Sequence, residues 1–429
     1  MSWFKSPCEV LVAGAGPVGQ FCALELARRG ISVRVLEEQW RTTSRSYALG
    51  LHPRTLELLD AHGLAEPLIA QGHRMGSVVL RDAKGEKGRL DFAHVGGKFP
   101  FLLVLPQFAL EAALEQALEK RGVKVEWNHR LDSVRPEGTK VVAVVHKLGK
   151  ETMGYAAATT EWVVEKEFEV EPSFIVGADG HRSKVRRATG IGYPEVGPSQ
   201  LFAVFEFQAE GSPLSEVHIV LEEGRSNVLW SMREGRFRWG FEITDPAAAE
   251  DERKKSRLLV GFDDRSYPAI EPEKLGAFIA ERAPWFLPRV TEVFWSAAIR
   301  FERRLVDRFG EGHVWLVGDA AHLASPIGMN SMNVGLREGR DLAWSIARRL
   351  REPAAGDALA TYDAQRTREW KRLLGLEGAP AVATGADPWV RANAARIVDC
   401  APSSGTALRS VLAPLGIQPA VEEEWAVPV

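Results

Sequence analysis

Cysteine is scarce: the 429 residues hold three, Cys8, Cys22 and Cys400. They are odd in number, far apart and without a Cys-x-x-Cys or paired-histidine companion, which argues against a disulfide framework and a zinc site and points to a reducing cytoplasm. Long apolar runs are missing too, and none approaches the about twenty residues that a bilayer crossing requires. The net charge is only −3. Basic residues are dispersed, as in Arg182-Ser-Lys-Val-Arg-Arg187, so no face announces a nucleic acid or an anionic membrane. Internal repeats and a nucleophile–base–acid constellation are likewise absent. The first glycine turn opens at Gly14, so no removable leader is expected.

Glycine is plentiful, and its placement carries the argument. Val10-Leu-Val-Ala-Gly-Ala-Gly-Pro-Val-Gly19 reads as a buried parallel strand running into a turn and a helix. Gly14, Gly16 and Gly19 match G-x-G-x-x-G: a tight turn, a close phosphate approach and a helix–strand contact. A second strand from Ile31 ends at Glu37, where a carboxylate can accept the ribose hydroxyls of an adenosine. Strand, helix, strand and acid in register predict a dinucleotide site.

Two further strands end the same way. Ser173-Phe-Ile-Val-Gly177 runs into Asp179-Gly180 and a helix near Ser183, and Val314-Trp-Leu-Val-Gly318 runs into Asp319. A loop from Ser325 to Asn333 follows the latter and leads into a helix through Leu336, Leu342, Ile346 and Leu350. Between these stations the pattern changes. Residues 72–101 alternate in short runs, and residues 192–300 form aromatic-rich alternating segments joined by Gly, Pro and Asp turns, predicting a sheet of about four strands. His52, just before a helix, reads as a capping or surface residue, and residues 123–171 as a β-meander.

The expected architecture is α/β, α+β overall. A Rossmann-like nucleotide domain is discontinuous (1–71, 102–191 and 301–366), a mostly antiparallel β-sheet substrate domain is inserted (72–101 and 192–300), and a helical tail follows (367–429). His218, Trp230, Met232 and Trp239 are candidate pocket walls, although alternation permits either face and the same aromatics would serve a plain core.

On these stations the chain resembles the single-component flavoprotein monooxygenases of the para-hydroxybenzoate hydroxylase type, from about Leu11 to Arg366. The resemblance implies FAD as cofactor, held by Gly14, Gly16, Gly19 and Glu37, by Asp179 and Gly180, which the family also links to NAD(P)H, and by Gly318 and Asp319 at the ribityl region. Arg45 and Gln107 stand in the order of the family's flavin-contacting arginine and glutamine. Pro326, Gly328, Met329, Asn330, Ser331, Met332 and Asn333 correspond to its isoalloxazine loop. Here the chain departs from the family's Gly-Gly-Gln-Gly pattern, and Met329 and Ser331 narrow the space beside the ring.

The implied reaction uses O2 and transient NADPH or NADH. It hydroxylates or epoxidises an aromatic or polycyclic small molecule through a flavin C4a-hydroperoxide, with no catalytic side chain and no metal. No second G-x-G-x-x-G suits a nicotinamide nucleotide. The same FAD motifs would serve a reductase or dehydrogenase of isoprenoid or aromatic substrates, or a flavin-bound regulator. A halogenase lacks support because no Trp-x-Trp-x-Ile-Pro stretch occurs. His322, tempting as a base, reads as structural.

Overall fold

The computed structural model describes residues 8–40, 49–137, 140–153, 159–211, 213–244, 259–262, 265–352 and 357–420. At its centre Val10–Ala13 pairs in parallel with Val33–Glu37 on one side and Phe174–Gly177 on the other. Val125–Trp127 and Val314–Leu316 extend the sheet outward, and Gly310–Glu311 closes one edge antiparallel. The central strand is fully apolar and buried along its length, as a parallel strand covered on both faces must be. Register does the positioning. Ala13 stands beside both Leu36 and Gly177, and Gly177 beside Leu316, so the turns at Gly14, Asp179 and Gly318 leave the carboxyl edge together.

Helix α1 (Pro17–Arg28) starts directly from the first turn. Helix α2 (Pro53–Asp60) follows His52, α3 (Gln107–Glu119) runs to the strand at Val125, and α4 (Lys184–Ala188) follows the Asp179 turn. The meander region is a three-stranded antiparallel sheet of His129–Glu137, Lys140–Met153 and Thr159–Val170.

The second large sheet has eight strands where the sequence suggested about four. Its extra members are Val290–Leu305, the hairpin Ser77–Asp82 and Gly85–Asp91, and His322–Leu323, and local pattern does not say which strands they pair with. All pairings are antiparallel except that of Glu216–Glu222 with Ser77–Asp82. Helix α5 (Lys274–Arg282) covers one face of this sheet. The other face meets Leu49, Ile327 and Met329.

Helix α6 (Asn330–Arg351) carries the chain back along the nucleotide domain, followed by α7 (Ala358–Leu373). Then α8 (Pro388–Cys400) and α9 (Gly405–Leu412) pack Val390, Ala394, Leu408 and Val411 against the inner side of the eight-stranded sheet.

Three elements run across the expected divisions. Strand Val290–Leu305 runs past residue 300, because nothing in its alternation punctuates it there. His322–Leu323 joins the second sheet. α7 crosses the expected break after residue 366 without interruption, its buried Tyr362, Arg366 and Trp370 forming one helical stripe.

Candidate active-site cleft

A cleft of about 790 Å³ runs along the carboxyl edge of the parallel sheet. The first glycine turn forms its floor. Gly14 has φ +103°, and a Cβ there would lie 2.2 Å from Ala178 O; one at Gly19 would lie 2.1 Å from Gly14 O. A side chain at Gly14 would push apart the two neighbouring strand-end turns, and one at Gly19 would wedge helix from turn. At Gly16 a Cβ would meet nothing within 4 Å, so its missing side chain leaves room only for something outside the protein. The N-terminus of α1 is uncapped by any side chain, so its free N–H groups and dipole are available to a pyrophosphate.

Glu37 lies at the end of its strand, accepting Ala15 N–H at 2.8 Å and Gln39 N–H at 2.9 Å. Burial pushes its carboxyl above the usual range, and these two donors partly offset that. These features fit FAD: a glycine floor open at Gly16, a helix N-terminus and a carboxylate at the end of the second strand.

The second station is tied to the third. Asp179 Oδ2 accepts the N–H groups of Lys184 (2.7 Å) and Val185 (3.2 Å), so this carboxylate caps α4, and burial raises its pKa. Arg186, on that helix, donates to His181 O at 2.8 Å and to Ala320 O at 2.7 Å. Its guanidinium lies 3.9 Å from the Tyr193 ring centroid, and the Tyr193 hydroxyl donates to Asp319 O at 2.9 Å. Between buried Gly318 and Ala320, only Asp319 is exposed, and it lines the cleft.

Behind this turn His322 is fully buried. It lies 2.9 Å from Glu338 Oε2 and stacks on Trp370 with centroids 3.6 Å apart. Glu338 also accepts Gly318 N–H and Trp370 Nε1–H. Although burial opposes it, this ring of donors holds the Glu338 carboxyl below its usual value. His322 therefore supports the turn from outside the cleft.

The cleft gathers Gly14, Gly16, Gly19, Glu37, Gln107, Asp179, Gly180, Gly318, Asp319, Pro326, Met329, Ser331 and Met332. Gly328, Asn330 and Asn333, expected beside the ring, do not line the cleft. Asn333 spends its amide on the backbone of Gly50, His52 and Met329, while a Cβ on Gly328 would meet Asn330 Nδ2 and the carbonyls of Asp399 and Ala401. Met329 begins α6 in the left-handed region, φ 51°, where the family pattern has glycine. His52, expected as a cap or surface residue, makes no side-chain cap and is buried, with Nε2 3.0 Å from Gly328 O. Burial lowers its pKa to about 3, so the neutral ring donates to that carbonyl. Arg45 lies outside the described residues.

None of the four candidate pocket walls lines the cleft. His218 and Trp239 fall on the face that α5 covers: His218 packs tilted against Trp285 with centroids 4.6 Å apart, and Trp239 stacks on Phe241 at 4.9 Å. Trp230 and Met232 fall on the inner face, buried in one cluster with Ile327 and Met329. Alternation had left this split open. The mouth of the cleft includes residues that sequence reasoning missed, notably Trp40, Arg130 and Phe301. Trp40 stands three residues after Glu37 and is 49% exposed, a local signal that was available. Phe301 arrives only because its strand is long.

Among the described residues no helix is long and apolar enough to cross a membrane, and no cluster of metal-binding side chains occurs. Residues 7–375 match a family model described as "FAD binding domain". The 6-methylpretetramide 4-monooxygenase of Streptomyces rimosus is 30% identical over 370 residues, which cover 85% of this chain and 60% of that protein. Pentachlorophenol 4-monooxygenase of Sphingobium chlorophenolicum is 27% identical, covering 86% of this chain and 64% of its own. The chain thus spans about three fifths of the length of these two relatives. Among solved structures, p-nitrophenol 4-monooxygenase PnpA from Pseudomonas putida DLL-E4 shares the fold, with a TM-score of 0.68 at 21% identity over 95% of this chain and 97% of the other. Aklavinone-11 hydroxylase, solved with FAD and aklavinone, matches with a TM-score of 0.64 at 25% identity over 88% and 68%.

Proposed function

This chain belongs to the FAD binding domain family, and on that premise we propose that it is a flavin-dependent monooxygenase. Its substrate is an aromatic or polycyclic small molecule, into which it inserts one oxygen atom from O2 by hydroxylation or epoxidation, with NADPH or NADH as transient reductant. The observation that carries this reading is the continuity of the cleft, which runs from the open floor at Gly16 past Asp319 to Pro326 and Met329 at the start of α6. Relatives named for oxygenation of aromatic compounds support it.

When bound, FAD supplies the redox and oxygen chemistry. The chain's own part is placement. The α1 N-terminus takes the pyrophosphate and Glu37 the adenosine ribose; Asp319, braced by Tyr193 and Arg186, takes the ribityl chain. The N-terminal N–H groups of α6 would hold the ring system and would stabilise negative charge on it. The apolar cluster of Ile327, Met329, Trp230 and Met232 keeps water away from the loop.

The test is the stoichiometry of turnover. FAD-loaded protein is given NADPH or NADH, candidate phenols and ¹⁸O2, and nucleotide oxidation is compared with label in the product. One labelled oxygen per nucleotide oxidised is expected with a true substrate. Nucleotide oxidation accelerated by a compound that is reduced or dehydrogenated without label would instead establish the reductase or dehydrogenase reading.

A further inference from the structure

A second cavity, of about 530 Å³, lies apart from the cleft and shares no lining residue with it. It sits between α7, the end of strand Val290–Leu305 and the pair α8 and α9. Much of its wall comes from residues after 375, outside the stretch that the family model matches. Its volume is that of a drug-sized ligand site. Leu373, Val398 and Leu408 give it apolar sides, and five arginines enter it: Arg303, Arg337, Arg366, Arg372 and Arg396.

The charges do not balance. Arg303 pairs with Asp399 through both terminal nitrogens, at 3.2 and 3.1 Å. Arg337 and Arg366 share Glu369, Arg366 also lies 3.7 Å from Asp341 behind the wall, and Arg372 lies 3.5 Å from Glu377. Four carboxylates thus answer these four guanidinium groups, and Asp341 is shared with Arg340 outside the wall. Arg396 is the fifth, and its partners are neutral: Asn393 Oδ1, Ser226 Oγ and the Arg225 carbonyl.

A buried donor of the wall also goes unanswered: Arg366, only 4% exposed, keeps Nε without a hydrogen-bond partner. A buried donor left unpaired is costly, and a ligand oxygen removes that cost.

We infer that this cavity is a second ligand site, for a small organic monoanion with a flat apolar body, such as an aromatic carboxylate. The carboxylate meets Arg396 and Arg366, and the body lies against Leu373, Val398 and Leu408. The site adjoins the loop of the cleft. Asp399, in its wall, and Ala401 place their carbonyls 2.8 and 3.2 Å from the point a Cβ on Gly328 would occupy, so a ligand that shifts the end of α8 shifts the Gly328 loop as well. This inference goes beyond the proposed reaction and stands without turnover.

The probe is 2-naphthoate, titrated calorimetrically into FAD-loaded protein, with neutral 2-naphthamide as control. One equivalent of naphthoate is expected to bind, and the amide about tenfold more weakly, as loss of a charge-assisted hydrogen bond implies. Arg396→Gln should weaken naphthoate binding by about the same factor. Ala395→Trp, at an exposed position lining the cavity, should abolish it by filling the space while leaving the thermal midpoint unchanged. Saturation should also shift the visible absorbance of the bound flavin in the unaltered protein. Naphthoate binding equal in both variants to that of the unaltered protein would overturn the site, equal affinity for the amide would overturn the anion, and an unchanged flavin spectrum would overturn the link to the loop.

Discussion

The side-chain oxygen of Asn333 accepts the backbone N–H of His52 at 2.8 Å, joining residues 281 apart in the chain. The amide nitrogen of the same side chain donates to Gly50 O and Met329 O, both at 2.9 Å. One buried amide thus fastens the first turn of α6, its left-handed cap and the segment leading into α2. Asn333→Ala leaves these backbone groups without partners, at about 1–3 kcal/mol for each that water cannot reach. The expected outcome is a large fall in the urea midpoint together with weaker FAD retention after gel filtration. A midpoint unchanged by this substitution would show that the loop is held by something else.

Gly14 and Gly16 separate two roles of the glycine turn. Gly14→Ala collides with Ala178 and demands a left-handed alanine, so it should destabilise the protein even without flavin. Gly16→Ala meets no protein atom and sits at φ −66°, which alanine adopts freely. The apoprotein should therefore melt normally while FAD affinity drops by about tenfold or more, as a methyl displaces the phosphate. Thermal melts with and without FAD read both effects, and normal FAD affinity in Gly16→Ala would remove the pyrophosphate from this turn.

Trp40 stands at the mouth of the cleft, with the Lys150 ammonium 5.1 Å from its ring centroid and 5.0 Å from that of Trp162. An exposed indole beside the adenosine end offers an adenine a stacking surface. Trp40→Ala should cost FAD about 1–3 kcal/mol, the worth of one base–aromatic stack, and leave FMN affinity as it was because FMN has no adenine. Equal losses for the two flavins, measured by fluorescence quenching, would argue against stacking.

The buried histidines set a pH dependence. Burial holds His52 near a pKa of about 3 and His218 near about 4, whereas an unfolded histidine titrates near about 6.5. Between those values the unfolded chain binds protons that the folded chain refuses, so stability rises with pH and falls as pH drops below about 6.5. Each histidine should remove roughly 2 kcal/mol between pH 7 and pH 5. His52→Gln, which keeps a donor for Gly328 O, should lose that share of the pH dependence in denaturant titrations. A variant with the full slope of the unaltered protein would mean that His52 titrates normally in the fold.

The nucleotide domain was legible because its signals are local. Gly14 and Gly318 take positive φ in their own turns and Gly19 packs on the carbonyl of Gly14, and three apolar strands ending in glycine or acid turns need only a parallel register to meet at one edge. Two-residue alternation likewise announced the second sheet.

Alternation could not say which face of that sheet α5 would cover. It therefore left His218 and Trp239 on equal terms with Trp230 and Met232. Nor could it end the Val290–Leu305 strand, find its partner at His322, or show that Asn333 would spend its amide on His52 and not beside the ring. Each of these depends on groups dozens to hundreds of residues apart, brought together only when apolar surface is buried and every enclosed amide must find a partner. The arginine-lined cavity is the clearest instance. Its five guanidinium groups come from a strand and three helices, and nothing short of their packing puts Arg396 in one chamber with no acid to answer it.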